Sequence, residues 1–448
     1  MAVEQNIAPA KLIDRFSHDG PGKCRTSEWR FEVPLNHSKP DEGTVRLFAR
    51  SIHCVLGVDD PELPWMLYLQ GGPGLGCKTP LEYAWLPSIL EKGYRVLFLD
   101  ERGTGQSSPI TAKTLAQQGD HKKQADLLKR FRADNIVRDC EAVRKHLYQD
   151  APADQSKWSV MAASFGGFCA ISYVSMFPNS LVEVFIGGGP CPMVNEPGQV
   201  IPRLFAVAAR RNEVYYKKYP EDVGRVKRII KYLKENKVAL SKGTLTPERF
   251  QQLGVMLGLH GGIDYIHGVV QRTDNDLDMF KFLTAPTLDL IENSGMAHNV
   301  IYSLLQEPMY CQGKAGGWCA DKCRKADPRF SLNERNAQIW FTGEAIFSDM
   351  FESYDELKDL KPVAELLARS SDWGQLYNEA QLARNEVPVY VATAVEDMYV
   401  SYDLGCHTAS KVKNLQQVVN NTWYHDAVET KASEVMPALF ALKEDRID

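Results

Sequence analysis

The sequence predicts an α/β fold: a mostly parallel central sheet carrying a large helical insertion. Three observations predict it. Apolar runs of strand length recur near 65–70, 95–99, 157–161 and 183–187, and they alternate with helical segments such as Asp134 to Tyr148. Three of these runs lead directly into loops built of small residues, at Gly71, Asp100 and Ser164. After Gly187-Gly188-Gly189-Pro190 the text becomes mainly helical, and it returns to strand only at Val387–Ala394. Two earlier runs, near 29–34 and 45–54, bring the strands before the insertion to six.

The most informative stretch is Trp158-Ser159-Val160-Met161-Ala162-Ala163-Ser164-Phe165-Gly166-Gly167. A short apolar strand ends, a serine follows among residues too small to obstruct a sharp turn, and Phe168 to Tyr173 continues with helical character. An α/β-hydrolase lifts its nucleophile above the sheet in this way, with the following helix N-terminus favouring negative charge. The usual pattern is G-x-S-x-G, and Ala162 stands in place of its first glycine. Taken alone, the segment also reads as a serine beginning a helix.

Two upstream segments fall where that fold needs them. Trp65 to Gln70 reads as a buried strand running into Gly71-Gly72-Pro73-Gly74. Backbone N–H groups of Gly71 or Gly72 then supply half of an oxyanion hole, and the N–H of Phe165 supplies the other half. A phosphate loop is excluded, because in Gly76-Cys77-Lys78-Thr79 the lysine does not directly follow the glycine. The run Tyr94 to Leu99 leads into Asp100-Glu101-Arg102-Gly103-Thr104-Gly105-Gln106-Ser107.

Gly-Gly-Pro-Gly, Asp-x-Arg-Gly-x-Gly-x-Ser and a serine followed by x-Gly-Gly together resemble the prolyl aminopeptidases (proline iminopeptidases) of the α/β-hydrolase superfamily, in their larger form with an extended cap. The resemblance runs from about residue 28 to the C-terminus. It implies a cofactor-independent serine aminopeptidase acting through an acyl-enzyme on a small peptide or amino-acid amide, with preference for N-terminal proline. The chain divides accordingly into core (1–189), helical cap (190–385) and core (386–448).

This fold delivers its triad in the order Ser, Asp/Glu, His. The acid belongs to the loop after Val387–Ala394, where Glu396 and Asp397 are both available. Asp397 is favoured because Asp-x-Tyr-Val resembles the acid loop of the family. Of the two late histidines, His407 is only ten residues past Asp397 and rides on the intervening helix. His425 follows the apolar stretch Leu415–Asn420, as a loop histidine after the last strand should. The predicted triad is Ser164, Asp397 and His425.

Removing an N-terminal residue requires recognition of a charged amine, and a buried ammonium needs carboxylates. Glu307, in Leu305-Gln306-Glu307-Pro308-Met309-Tyr310, and Glu344, in Phe341-Thr342-Gly343-Glu344-Ala345-Ile346-Phe347, resemble the amine-binding acids of the family. Phe347, Phe351 and Trp340 are candidates to wall a proline ring. The family commonly continues after that glutamate with Pro-Trp before Met-Phe; here Ser348-Asp349 takes that place. The departure bears on substrate identity, and an esterase or amidase acting on a proline-containing or other small metabolite is the alternative that uses the same machinery. A binding protein that keeps the fold without turnover is the non-enzymatic alternative.

Composition agrees. The 448 residues are 44% hydrophobic, enough for a substantial core, and the formal net charge of −5 gives no nucleic-acid surface. No apolar run reaches the length of a membrane span, and the N-terminal text shows no secretory pattern, so a cytoplasmic protein is expected. Ten cysteines occur without a C-x-x-C pair. Cys319 and Cys323 have a spacing zinc accepts, but no second pair or nearby histidine completes four ligands, so neither metal nor other cofactor is expected. The oligomeric state is open.

Overall fold

In chain order the strands are β1 (Lys11–Asp19), β2 (Cys24–Pro34), β3 (Thr44–Cys54), β4 (Trp65–Leu69), β5 (Arg95–Leu99), β6 (Trp158–Ala163), β7 (Leu181–Gly187), β8 (Val238–Leu240), β9 (Gly243–Leu245), β10 (Val389–Ala394) and β11 (Leu415–Asn420). They come from a computed structural model that describes residues 6–54, 63–152, 155–295 and 299–445. Nine form one sheet in the order β1-β2-β3-β5-β4-β6-β7-β10-β11, and β8 and β9 form a separate hairpin. From β5 to β11 the pairing is parallel; β1, β2 and β3 join antiparallel.

The central strands are buried along almost their whole length, which is why they read as continuous apolar runs. Helices Ala133–Leu147 and Phe165–Met176 pack together on one face, and Ala432–Lys443 packs against β10 and β11. β1 is a strand the sequence reading missed. It is exposed along nearly every position and carries Lys11, Asp14 and Arg15, with a register shift near Leu12. A charged, irregular edge strand has no apolar alternation to betray it, and charge and irregularity are the features that discourage edge-to-edge pairing in general. The run at Trp65 is therefore the fourth strand in chain order rather than the third.

Between β7 and β10 the chain is mainly helical, with Ile201–Lys218, Asp222–Glu235 and Gly262–Phe280 the longest helices. No helix among the described residues is long and apolar enough to cross a membrane.

Strand order locates the site. The chain passes from β4 to β5 on one side, then returns to place β6 on the other side of β4. Loops at such a reversal diverge and leave a crevice beyond the carboxyl ends of the strands. Leu69 pairs with Ala162, so the loop after β4 and the turn after β6 open side by side into it.

Candidate active site

Ser164 sits in the turn between β6 and helix Phe165–Met176, with φ 53° and ψ −120°. That is an uncommon conformation for a residue with a side chain, and surrounding contacts must hold it. The Ser164 N–H donates to Gly187 O at 3.1 Å, and the Gly167 N–H donates to Ser164 O at 2.8 Å. A Cβ on Gly166 would lie 2.1 Å from Leu69 O, so the last glycine of the serine motif answers to the backbone of β4. Ala162 lies inside β6, fully buried between Leu69 and Ile186. A methyl group fits there, which explains how the first glycine of the pattern is dispensable.

His425 Nε2 lies 2.8 Å from Ser164 Oγ, and His425 Nδ1 lies 2.8 Å from Asp397 Oδ2. The other carboxylate oxygen of Asp397 accepts the backbone N–H groups of Tyr399 at 2.7 Å and Val400 at 2.9 Å. Those bonds fix the carboxylate plane, which leaves Nδ1 of His425 as the donor and Nε2 free to accept the serine proton. The Tyr399 ring stacks on the imidazole with centroids 4.4 Å apart, and its hydroxyl donates to Val255 O at 2.5 Å. Burial opposes a charge on His425. Asp397, with help from Glu344 and Asp426, outweighs that and holds the imidazole above its ordinary value.

Gly71 packs directly on the serine, for a Cβ there would lie 3.1 Å from Ser164 Cβ. The Phe165 N–H begins its helix and so has no carbonyl upstream within it to bond. The Asp-x-Arg-Gly-x-Gly-x-Ser segment braces this loop from behind. Asp100 accepts the N–H groups of Cys77 at 2.7 Å and Gln106 at 2.8 Å, while a Cβ on Gly105 would fall 2.1 Å from Asp100 Oδ2. Arg102 forms a buried ion pair with Asp139 and donates to Leu35 O and Arg130 O. Ser107 donates to Asp100 O and accepts the Phe48 N–H.

The insertion reaches the same place. Asn299 Nδ2 donates to Gly74 O at 2.7 Å, and the Tyr302 hydroxyl donates to Glu344 Oε1 at 2.5 Å. Burial pushes the Glu344 carboxyl up to about 7, with Asp397 adding to the rise and the Tyr302 hydrogen bond and His425 opposing it. Glu344 is thus buried within electrostatic reach of the imidazole and its acid.

Other sequence-predicted residues are placed differently. Glu307 is also buried, but its Oε1 accepts the Ala320 N–H at 2.9 Å, at the start of helix Cys319–Ala326. Burial pushes its carboxyl up from the usual value, while the backbone N–H groups at that helix start oppose the rise. The ring contacts of Phe347 (with Phe205 and the Arg324 guanidinium) and of Phe351 (with Trp318) lie within the insertion. Trp340 meets Phe330 and Arg329. Asp349, the departure after Glu344, is paired with Arg324, which it shares with Asp321. His407 is exposed on helix Tyr402–Lys411, and Glu396 faces Arg210 at 3.6 Å. Cys319 and Cys323 sit one turn apart on a helix, and the ten cysteines are free thiols. Sequence reasoning missed Asn299 and Tyr302, which act through contacts with the distant Gly74 and Glu344.

The alpha/beta hydrolase fold model matches residues 64–228. A proline iminopeptidase from Aeromonas sobria is 38% identical over 421 residues, covering 93% of this chain and 96% of that protein. This chain belongs to the proline iminopeptidase family. A second member, from Thermoplasma volcanium, is 28% identical over 152 residues, 34% of this chain and 43% of its own. A solved bromoperoxidase from Bacillus anthracis has 11% identity and a TM-score of 0.41, covering 93% of this chain and 100% of its own. The family match spans the insertion as well as the sheet, so the segment carrying Glu344 is family sequence too.

Proposed function

We propose that this protein is a serine aminopeptidase that releases an N-terminal residue, preferably proline, from small peptides and amino-acid amides. The observation that carries the reading is a buried carboxylate, Glu344, beside a connected Ser164–His425–Asp397 chain. The connected chain alone supports acyl transfer; the added carboxylate gives the site a reason to demand a free amine.

His425 Nε2 takes the proton of Ser164 Oγ as that oxygen attacks the carbonyl of the first residue. The resulting oxyanion is held by the N–H groups of Phe165 and of Gly71 or Gly72, and Asp397 stabilises the imidazolium. His425 then gives its proton to the leaving nitrogen, the C–N bond breaks, and an ester to Ser164 remains. Water, deprotonated by the same imidazole, attacks that ester and frees the first residue. Glu344 holds the substrate ammonium, so only the first peptide bond lies at Ser164. The helical insertion acts as a cap that excludes water from this pocket. The free thiols support a reducing compartment, the cytoplasm.

A panel of aminoacyl 4-nitroanilides, each with and without an N-acetyl group, tests this reading. Prolyl anilide should be the best substrate and its acetylated form a poor one. Equal turnover of blocked and free substrates would remove the aminopeptidase assignment and leave a general serine hydrolase.

A further inference from the structure

The insertion meets the triad loops at a second place, through residues 255–260 before helix Gly262–Phe280. Val255 O accepts the Tyr399 hydroxyl, and Gly258 O accepts the backbone N–H of His425 at 3.4 Å. A Cβ on Gly258 would lie 2.6 Å from the Tyr399 ring and 2.8 Å from Met398 Cβ, so the acid loop packs on bare backbone. Arg211 Nε donates to Leu257 O at 3.0 Å, and its Nη1 donates to the Tyr424 hydroxyl at 3.1 Å. The segment is a tight turn. The Leu259 N–H donates to Met256 O at 3.1 Å, and a Cβ on Gly262 would fall 1.7 Å from that same oxygen.

His260 completes the contact. Its backbone N–H donates to Asp426 Oδ1 at 3.1 Å, and its ring Nδ1 lies 2.6 Å from the same oxygen. The Thr430 hydroxyl lies 2.9 Å from Nδ1 but donates to Asp426 O at 3.0 Å, so toward the ring it can only accept. Nδ1 therefore carries the proton and donates it to Asp426. The His260 ring also meets the Tyr424 ring edge-on at 5.0 Å. Tyr424, His425 and Asp426 are thus each held from the insertion. The support matters because β11, which leads into this loop, ends the sheet and has a neighbouring strand on one side only. Trp423 and Val428 anchor the two ends of the loop in the core, and His425 lies between them. A displacement of well under 1 Å there would lengthen both 2.8 Å bonds of the imidazole, to Ser164 and to Asp397.

We propose that His260 is a positioning residue: through Asp426 it ties the loop carrying His425 to the insertion and so sets the distance from Nε2 to Ser164 Oγ. The proposal rests on the reading of His425 as the general base, and its test separates the two. Wild type, His260→Leu, His260→Asn, Asp426→Ala, the His260→Leu/Asp426→Ala double variant and His425→Ala are compared by kcat and KM on prolyl 4-nitroanilide, well below their melting temperatures. His260→Leu and Asp426→Ala should each lose roughly ten- to a hundredfold in kcat with little change in KM. The double variant should lose no more than either single one, because both remove the same tie. Asparagine offers an N–H donor close to the position of Nδ1, so His260→Asn should stay within about threefold of wild type. A folded His260→Leu with lowered melting temperature but wild-type kcat would show a structural role only and overturn the proposal. So would additive losses in the double variant, or a His260→Asn as impaired as His260→Leu. If His260→Leu does not fold, Asp426→Ala and His260→Asn decide by the same criteria. An inactive His425→Ala beside a fully active His260→Leu sinks the proposal alone, whereas an active His425→Ala removes the general-base reading and the proposal with it.

Discussion

Tyr302 holds Glu344 through its hydroxyl at 2.5 Å, while its own backbone N–H donates to Asn299 Oδ1 at 3.0 Å, and Asn299 Nδ2 donates to Gly74. One short helical turn of the insertion thus links the buried carboxylate to the loop beyond β4. The point where an amine would be held and the point where an oxyanion would form are set by the same few bonds. Such coupling makes the distance between them a property of the fold rather than of flexible side chains.

Glu344→Gln should lower kcat/KM for free prolyl substrates by roughly ten- to a hundredfold or more, matching the loss of a charge-assisted hydrogen bond of about 1.5–3 kcal/mol. Discrimination against N-acetylated substrates should shrink in the same variant. The protein itself should become more stable. The folded carboxyl titrates near 7 rather than near its ordinary value of 4.5, so the folded state binds more protons between those values. Stability contributed by the neutral acid is present at low pH and lost as pH rises toward 7. Above that, the neutral glutamine should gain up to about 3 kcal/mol. Urea unfolding of both proteins at pH 5 and pH 8 measures this, and a gain much larger at pH 8 than at pH 5 is the expected outcome.

The pH dependence of kcat/KM should show two protonations on its acid side. His425 must be neutral to act as base, and its value is raised; Glu344 must be ionised to hold an ammonium, and its value is about 7. Activity on prolyl anilide should therefore rise with pH through both groups, with a limiting slope of about two. In Glu344→Gln the slope should fall to about one. The remaining limb should move to lower pH, because the Glu344 charge no longer supports the imidazolium. A slope of one in the wild type would remove Glu344 from the titration.

Much of this arrangement is legible in the sequence. The central strands announce themselves because parallel strands buried on both faces must be apolar throughout, and the turns at Gly71 and Ser164 because close backbone approach excludes side chains. Ser164 and His425 follow from the serine turn and chain order, Asp397 from the resemblance of Asp-x-Tyr-Val to the family's acid loop, and hydrogen bonds connect the three in the structure. What stays hidden depends on contacts between distant segments. Glu307 and Glu344 look alike in sequence, each beside apolar residues, yet one faces backbone amides at a helix start and the other faces Tyr302. Nothing local distinguishes them. Phe347 and Phe351 share helical spacing with core aromatics, and their observed ring contacts are of that kind. β1 escapes because an edge strand is shaped by what it must not pair with.

Gly105→Ala should damage activity from a distance. A Cβ there would collide with Asp100 Oδ2 at 2.1 Å, and the backbone φ of 49° disfavours any side chain. Displacing that carboxylate releases the Cys77 N–H and, with it, the loop that begins at Gly71. The expected cost is about 2–4 kcal/mol in stability with a marked loss of kcat. Gly268→Ala is the control. It lies in helix Gly262–Phe280 with nothing within 4 Å of the added methyl, so it should be neutral or stabilising by about 1 kcal/mol.

The remaining prediction addresses the relay itself by pairing each proposed member with its nearest decoy. Ser164→Ala should abolish turnover and fluorophosphonate labelling while leaving the fold intact, since the Ser164 side chain holds nothing but His425. His425→Ala should cost several orders of magnitude in kcat, whereas His407→Ala, an exposed change on helix Tyr402–Lys411, should cost almost nothing. Asp397→Asn should be severe, because an amide facing Nδ1 favours the wrong imidazole tautomer and no longer stabilises its charge. Glu396→Gln removes only a 3.6 Å contact with Arg210 and should be mild. Circular dichroism and melting temperature establish that each variant is folded. Loss of activity in a folded His407→Ala, with His425→Ala active, would mean that the hydrogen bonds from His425 to Ser164 and Asp397 are not those used in the reaction.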